Sequence, residues 1–351
     1  MLLSICLPTY NRHEPLRELS EQFFSKALAQ YPNEVEIVIC DDSTHDIAAA
    51  NQQVLHPSVR YTHNSVRAGF AKSTEQCLEQ ALGKFVWLIS DDDPIIWEGF
   101  EQVMSTLKLD AADCYLVPFS STTFFNETRS EVFPWFPENR MMSISDMLKN
   151  HPSFLPFVLC SAGIVRLDKT VIQRVRQALK DNLFIHIAIF FEMFGPNARV
   201  YAFNKPVIDF KLAASRPYDV VTLFDMRVEV LEYLMPTFPE LKVGMPEQIH
   251  AALESSLYLW IEDNAGMVKM KHNPEARRAL QDYYKKHWKN KTRTLGALLS
   301  LPALYSKIMY YHSVMSQYAR ARNPENNWFK HVAYMGNAYT MMRAYKKSIT
   351  H

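Results

Sequence analysis

A chain of 351 residues that is 48% apolar with only 9 glycines can bury one large core or two of ordinary size, which excludes a disordered or low-complexity polymer. Its five cysteines, at 6, 40, 77, 114 and 160, form no CxxC pair and no zinc-finger pattern, and they suit reduced core thiols in a cytoplasmic protein. The net charge of +1 hides a split, because residues 269–351 carry 16 Lys and Arg against 3 Asp and Glu, a balance of +13, and residues 1–268 sum to −12.

The opening "MLLSICLPTYNR" has no basic leader or small-residue cleavage site and reads as a strand over 2–8. Apolar residues at helical spacing over 13–30 (Leu16, Leu19, Phe23, Ala27, Leu28) predict a helix. Strands follow at 35–40, 59–64, 84–89 and 113–119, with helices at 47–55, 69–82 and 97–109 between them. Strand and helix alternating through short links predict an open α/β sheet flanked by helices. Residues 120–165 are rich in Pro, Phe and Ser and read as loops with a short hairpin. Helices are expected at 168–182 and 185–195, and strands split by Pro206 over 199–213. From about 218 the pattern is almost wholly helical. No apolar run reaches the roughly 18 residues of a spanning helix.

Ligands of an open α/β sheet bind beyond the carboxyl ends of its strands. Here the first strand runs into Pro8, Thr9, Tyr10, Asn11 and Arg12, and the second into Asp41, Asp42 and Ser43. The third runs into His63 and Asn64 with Arg67 close behind, and the fourth into Ser90, Asp91, Asp92 and Asp93. Three adjacent carboxylates repel one another, and burial raises their pKa. A hard divalent cation such as Mg²⁺ or Mn²⁺ would remove that penalty and leave coordination positions open for phosphate oxygens. Simple capping of the helix that starts near Pro94 is the plainer alternative for Asp92 or Asp93. Tyr10 offers a ring for stacking on a base, and Asp41 an acceptor for a ring N–H or a ribose hydroxyl.

The blocks "ICLPTYNR", "EIVICDDS", "RYTHNSVRAGFAKS" and "GKFVWLISDDD", in this order and spacing, resemble the signature blocks of family 2 glycosyltransferases over residues 1–120. The resemblance implies a GT-A fold and an inverting, Mg²⁺- or Mn²⁺-dependent transferase that takes a nucleoside-diphosphate sugar. It would place Pro8, Thr9 and Tyr10 around the base, with Arg12 in the same donor pocket and Asp41 and Asp42 beside it. Asn64 and Gly69 would shape the pocket, and Lys72 would stand where many members have an Arg facing phosphate. Where the family's acidic motif commonly reads Asp-x-Asp-Asp, Ser90 takes the first position. Asp93 is then the expected main metal ligand, with Asp91 as a second ligand and Asp91 and Asp92 toward ribose and diphosphate. The "SDDD" form is similar to enzymes that build bacterial surface polysaccharides.

The family's base is usually the Asp of a Glu-Asp pair, which this chain lacks in the acceptor half. Asp181, behind Lys180, takes the nearest place. His186 is the second candidate, Glu192 a distant third, and Lys211 and Arg216 are candidates to reach the diphosphate. The expected organisation is a catalytic domain over 1–217, split near 120 into donor and acceptor halves, and a basic, mostly α-helical region over 218–351. Lys, Arg, Trp and Tyr beside amphipathic stretches in 269–351 suit an anionic inner membrane face and a glycan or lipid-linked acceptor. Packing on the acidic domain or on a second subunit is the alternative, and nucleic-acid binding is not expected. Two other functions compete. A sugar nucleotidyltransferase would need a Gly-rich loop that "PTYNRHEP" lacks. An inactive relative would bind glycan or protein only.

Overall fold

Three strands lie side by side at the start of the chain: the apolar, buried β1 (Leu3–Thr9) and β2 (Val35–Asp41), and the polar, half-exposed β3 (Arg60–His63). The computed structural model describes residues 1–122, 129–131, 138–150, 159–210 and 220–241. Strand β1 pairs in parallel with β2, from Leu3 opposite Val35 to Thr9 opposite Asp41. On its other side it pairs in parallel with β4 (Phe85–Leu88), Ile5 opposite Trp87. All seven residues of β2 are buried, which is why its sequence is continuously apolar rather than alternating. Because these four strands run the same way, their last residues and the polar segments after them emerge along one edge.

The predicted helix over 13–30 is helical throughout but is not uniform. α1 (His13–Leu19) leads into a π-helical turn, Ser20–Phe24, and then α2 (Ser25–Gln30). The Ser20 hydroxyl donates to the Val54 carbonyl (2.8 Å) at the end of α3 (His45–Val54). Phe23, in the π turn, meets Phe100 edge-on at 4.9 Å between ring centres. Phe100 belongs to α5 (Trp97–Leu107) and also stacks near Trp87 of β4. These rings fill the core under the acidic strand end. α4 (Phe70–Gln80) packs against β1 and β2.

The second half departs from the expected rhythm. The run around 159–166, read from sequence as part of a loop region, contains a 3₁₀ turn, Cys160–Ala162, and a central strand, β9 (Gly163–Arg166). β9 inserts antiparallel between β4 and β5 (Cys114–Leu116). A four-residue strand gives too short an apolar run to be told from a loop by periodicity. The described hairpin joins β6 (Phe119–Thr122) to β7 (Arg129–Glu131). It is followed by β8 (Arg140–Ser143), α6 (Ile144–Asn150), α7 (Thr170–Leu179) and α8 (Ile185–Phe194). The last described elements are β10 (Arg199–Ala202), β11 (Ile208–Phe210) and α9 (Val220–Leu234). The large sheet has the order β3-β2-β1-β4-β9-β5-β10-β8, and β11-β6-β7 form a small second sheet. It is thus a mixed sheet, with β8 and β9 antiparallel.

The small sheet steadies the acidic loop. Ile96 N–H donates to the Val207 carbonyl and Asp209 N–H to the Pro94 carbonyl, each at 2.8 Å. Gly99 permits this approach, since a Cβ there would stand 2.8 Å from the Val207 Cα. Residues 1–216 and 226–249 make one compact unit; the other unit, 217–225 and 250–351, falls almost wholly outside the described residues. Lys211, Arg216 and the basic stretch 269–351 also lie outside them. Among the described residues no helix is long and apolar enough to cross a membrane.

Candidate active site

The main-chain run of β4 continues one residue beyond the strand, Ile89 N–H donating to the Cys6 carbonyl at 2.9 Å, and then turns through Ser90 to Asp93. Each of the three carboxylates has a different environment. Asp91 accepts from the Thr9 hydroxyl (2.6 Å) and from Arg12 Nε (3.2 Å). Asp92 accepts from Arg12 Nη2 and from the Ser90 hydroxyl, both at 2.5 Å. Asp93 is 3% exposed; its Oδ2 accepts from the Ser161 hydroxyl (2.6 Å), and its buried Oδ1 has no hydrogen-bond partner.

Electrostatics follows from this burial. Loss of water lifts the Asp93 carboxyl to about 7; the Ser161 bond opposes the rise and the charges of Asp92 and Asp91 add to it. Burial likewise raises Asp91 to about 6, against the pull of Thr9 and Arg12. Ser161 was not foreseen from sequence. It sits in the 3₁₀ turn before β9, 68 positions from Asp93, and no local pattern marks it.

The second strand end is built differently. Asp41 is fully buried, and its carboxylate accepts from Ser43 N–H (2.7 Å), Asn51 Nδ2 (2.6 Å) and the Tyr61 hydroxyl (2.8 Å). The donors expected from a nucleobase are supplied here by the chain itself, so Asp41 braces the β2 turn in this conformation. Asp42 accepts from Asn64 Nδ2 (2.7 Å) and Gly69 N–H (2.6 Å), which ties β2, the end of β3 and the start of α4 together. Gly69 has φ of +87°, a conformation that side chains disfavour, and this turns its N–H onto Asp42.

Beside this brace, Tyr10 is 41% exposed and the Arg67 guanidinium lies 4.1 Å over its ring. Asn11, at φ of +54°, fixes the turn after Tyr10 by donating its N–H to the Ser43 hydroxyl (2.7 Å). Pro8 and Thr9 close β1 directly before it. The Lys72 ammonium pairs with buried Glu75 at 3.2 Å, which Arg176 also reaches at 3.4 Å.

The two base candidates fall in unlike places. Asp181 is exposed in the turn before α8. Its neighbour Asn182 anchors that turn: Oδ1 accepts from Phe184 N–H (2.8 Å), and Nδ2 donates to the Met226 carbonyl (2.8 Å) and to Glu229 (2.7 Å). His186 is 3% exposed and ringed by Phe70, Phe184 and Phe190 at 6.0–6.4 Å between ring centres. Glu192 pairs with Arg174 and accepts from the Tyr233 hydroxyl. A cleft of about 270 Å³ opens next to Arg12, Asp91 and Asp92, with Glu18 and Gln22 on one wall and Phe23 at its floor.

A mixed, open α/β sheet whose carboxylates gather at the carboxyl ends of its parallel strands places this chain among α/β proteins that bind ligands along that edge. Residues 4–163 match the model of Glycosyl transferase family 2. Over 222 residues the chain is 22% identical to abequosyltransferase RfbV of Salmonella typhimurium, covering 59% of this chain and 66% of that protein. Over 96 residues it is 33% identical to the uncharacterized protein MT1568 of Mycobacterium tuberculosis, covering 27% of this chain and 29% of that one. The chain thus spans less than two thirds of either relative. The crystal structure of S. aureus TarS 1-349 matches with a TM-score of 0.55 at 18% identity, over 92% of each chain. Structures of that protein with UDP and with UDP-GlcNAc match with TM-scores of 0.53 and 0.52. Residues 4–163 thus resemble glycosyl transferase family 2, and the fold is of the GT-A type.

Proposed function

We propose that the protein is an inverting transferase that moves a sugar from a nucleoside diphosphate to a hydroxyl of a glycan or lipid-linked acceptor, with a divalent cation at the acidic strand end. The observation that carries this reading is the buried Asp93 carboxylate, one oxygen of which has no partner. A buried acceptor without a donor is costly, and a cation or a donor group of a ligand would relieve that cost. Among the described residues no three His, Cys, Asp or Glu side chains are set to hold a metal. A hard cation such as Mg²⁺ or Mn²⁺ can be held by one or two protein carboxylates, here Asp93 and Asp91, with phosphate oxygens and water completing its shell. Such a cation, when bound, would offset the charge that develops on the departing diphosphate.

The remaining steps belong to the chain. Tyr10 offers its exposed ring to the base, with Arg67 already seated on its face. Pro8, Thr9, Asp42, Asn64 and Gly69 hold the walls of that pocket, and Lys72 becomes a phosphate contact if it leaves Glu75. Asp181 takes the proton from the acceptor hydroxyl, which attacks the anomeric carbon opposite the diphosphate. Its exposure favours it over His186, whose aromatic surround leaves little room for an acceptor. UDP is the first nucleotide to test, since TarS structures hold UDP and UDP-GlcNAc. Residues 1–217 would form the catalytic domain, and 218–351 a second domain whose basic stretch 269–351 meets an anionic membrane.

A thermal-shift screen of nucleoside diphosphates with and without Mn²⁺ tests the donor half, because a ligand of the folded state alone raises Tm. One diphosphate should shift Tm in a Mn²⁺-dependent way, and no shift with any of them would remove the proposal. For the base, Asp181→Asn should keep nucleotide binding and lose transfer. Wild-type turnover in that variant would return the role to His186.

A further inference from the structure

Arg12 holds Asp91, one of the two carboxylates that the reading above gives to a cation, together with its neighbour Asp92. Its guanidinium bridges Asp91 and Asp92 through Nε and Nη2, so a single positive charge offsets part of the charge of the two carboxylates that precede Asp93 in the chain. A guanidinium and a divalent cation cannot share these oxygens without strong mutual repulsion. Three features let Arg12 give way. It precedes α1 with non-helical φ and ψ of −126° and 52°, so its backbone is outside the helical ladder. Its side chain is 39% exposed. And it borders the 270 Å³ cleft, whose other wall carries Glu18. Glu18 forms no ion pair among the described residues, whereas Glu14 and Glu21 on the same helical stretch are both taken by Arg17.

We propose that Arg12 is a displaceable counter-ion. It holds the Asp91–Asp92 strand end against free cations, and when a metal–diphosphate arrives it releases both carboxylates and crosses the cleft to Glu18. The device would make cation entry depend on the diphosphate, whose negative charge favours the exchange and which brings the cation with it. It rests on the reading that this site takes a metal-bound diphosphate.

Mn²⁺ binding, followed from the free-ion electron paramagnetic resonance signal with and without UDP, tests it in the full chain. Without UDP, Arg12→Ala should bind Mn²⁺ about tenfold more tightly than wild type, because one positive charge has left the cluster. Arg12→Gln, which keeps a hydrogen bond to Asp92, should behave in the same direction and serves if the alanine variant does not fold. With UDP, Glu18→Gln should bind Mn²⁺ several-fold more weakly than wild type, since the displaced guanidinium then lacks its second partner. Unchanged or weaker Mn²⁺ binding by both Arg12 variants would overturn the counter-ion role. Wild-type behaviour of Glu18→Gln would overturn the landing on Glu18. If wild type binds UDP with Mn²⁺ and these variants do not differ, only this inference fails; if wild type binds neither, the donor reading fails with it.

Discussion

The ends of β2 and β4 solve the same problem in opposite ways. Both place buried carboxylates at the carboxyl edge of the sheet. At β2 each oxygen of Asp41 and Asp42 has a donor from the chain, so this end is closed. At β4 five of the six oxygens of Asp91, Asp92 and Asp93 have donors, two of them from the half-exposed Arg12 side chain, and the buried Oδ1 of Asp93 keeps no partner. The difference separates a scaffold from a site. Full satisfaction stabilises a fold, whereas incomplete satisfaction stores a preference for something that is not part of the chain.

Substitutions should break this contrast in graded fashion. The largest effect on function is expected from Asp93→Asn, which should lower Mn²⁺-dependent nucleotide binding and transfer by about 100-fold or more. Its fold should persist, because the amide still accepts from Ser161. Circular dichroism and a transfer assay with a candidate donor check both halves of that outcome. Asp41→Ala should do the reverse. It strands Asn51, Tyr61 and the Ser43 N–H, and should cost roughly 2–4 kcal/mol of stability by urea unfolding, with the chemistry of the β4 end untouched where the protein stays folded.

The pH dependence sharpens the same comparison. The Asp93 carboxyl is raised to about 7 and Asp91 to about 6, chiefly by burial, so the folded protein holds these protons more tightly than the unfolded chain does. Their contribution to stability is full below about pH 4 and is lost as pH rises through about 6 to 7. Tm without a cation should therefore fall over that interval, and Asp93→Asn should flatten the fall. Mn²⁺ binding should strengthen over the same interval, as the carboxylate loses its proton. Ser161→Ala removes the bond that opposes the rise at Asp93, and should move the Mn²⁺-binding profile to higher pH by roughly half a unit to one unit. The smallest effect is expected from Arg67→Ala, which should weaken nucleotide binding by less than about fivefold through loss of its contact with the Tyr10 ring.

The closed end was legible in the sequence as position and the open end as chemistry. β1 to β4, the helices between them and the polar residues after each strand could all be placed, chiefly because β1, β2 and β4 are buried on both faces and leave nearly unbroken apolar runs. The bonds that fix Asp41 lie within 20 residues of it, yet its enclosure by Asn51 and Tyr61 was not foreseen, since composition does not say which way a side chain turns. β9 and Ser161 were missed for another reason. A four-residue strand inserted antiparallel from far along the chain leaves no period to detect, and it is this strand that brings Ser161 to Asp93. Of the rings around His186, Phe184 and Phe190 are its neighbours in the chain, and Phe70 reaches it through the packing of α4 on α8, which no local pattern marks.

Crystals grown with Mn²⁺ and UDP, and measured at the manganese absorption edge, address the central claim most directly. The account predicts an anomalous peak about 2 Å from an Asp93 carboxylate oxygen, shared with diphosphate oxygens, and an Arg12 side chain that has left Asp91 and Asp92. UDP bound at this edge with no manganese beside Asp93, or with Arg12 still bridging the two carboxylates, would contradict it.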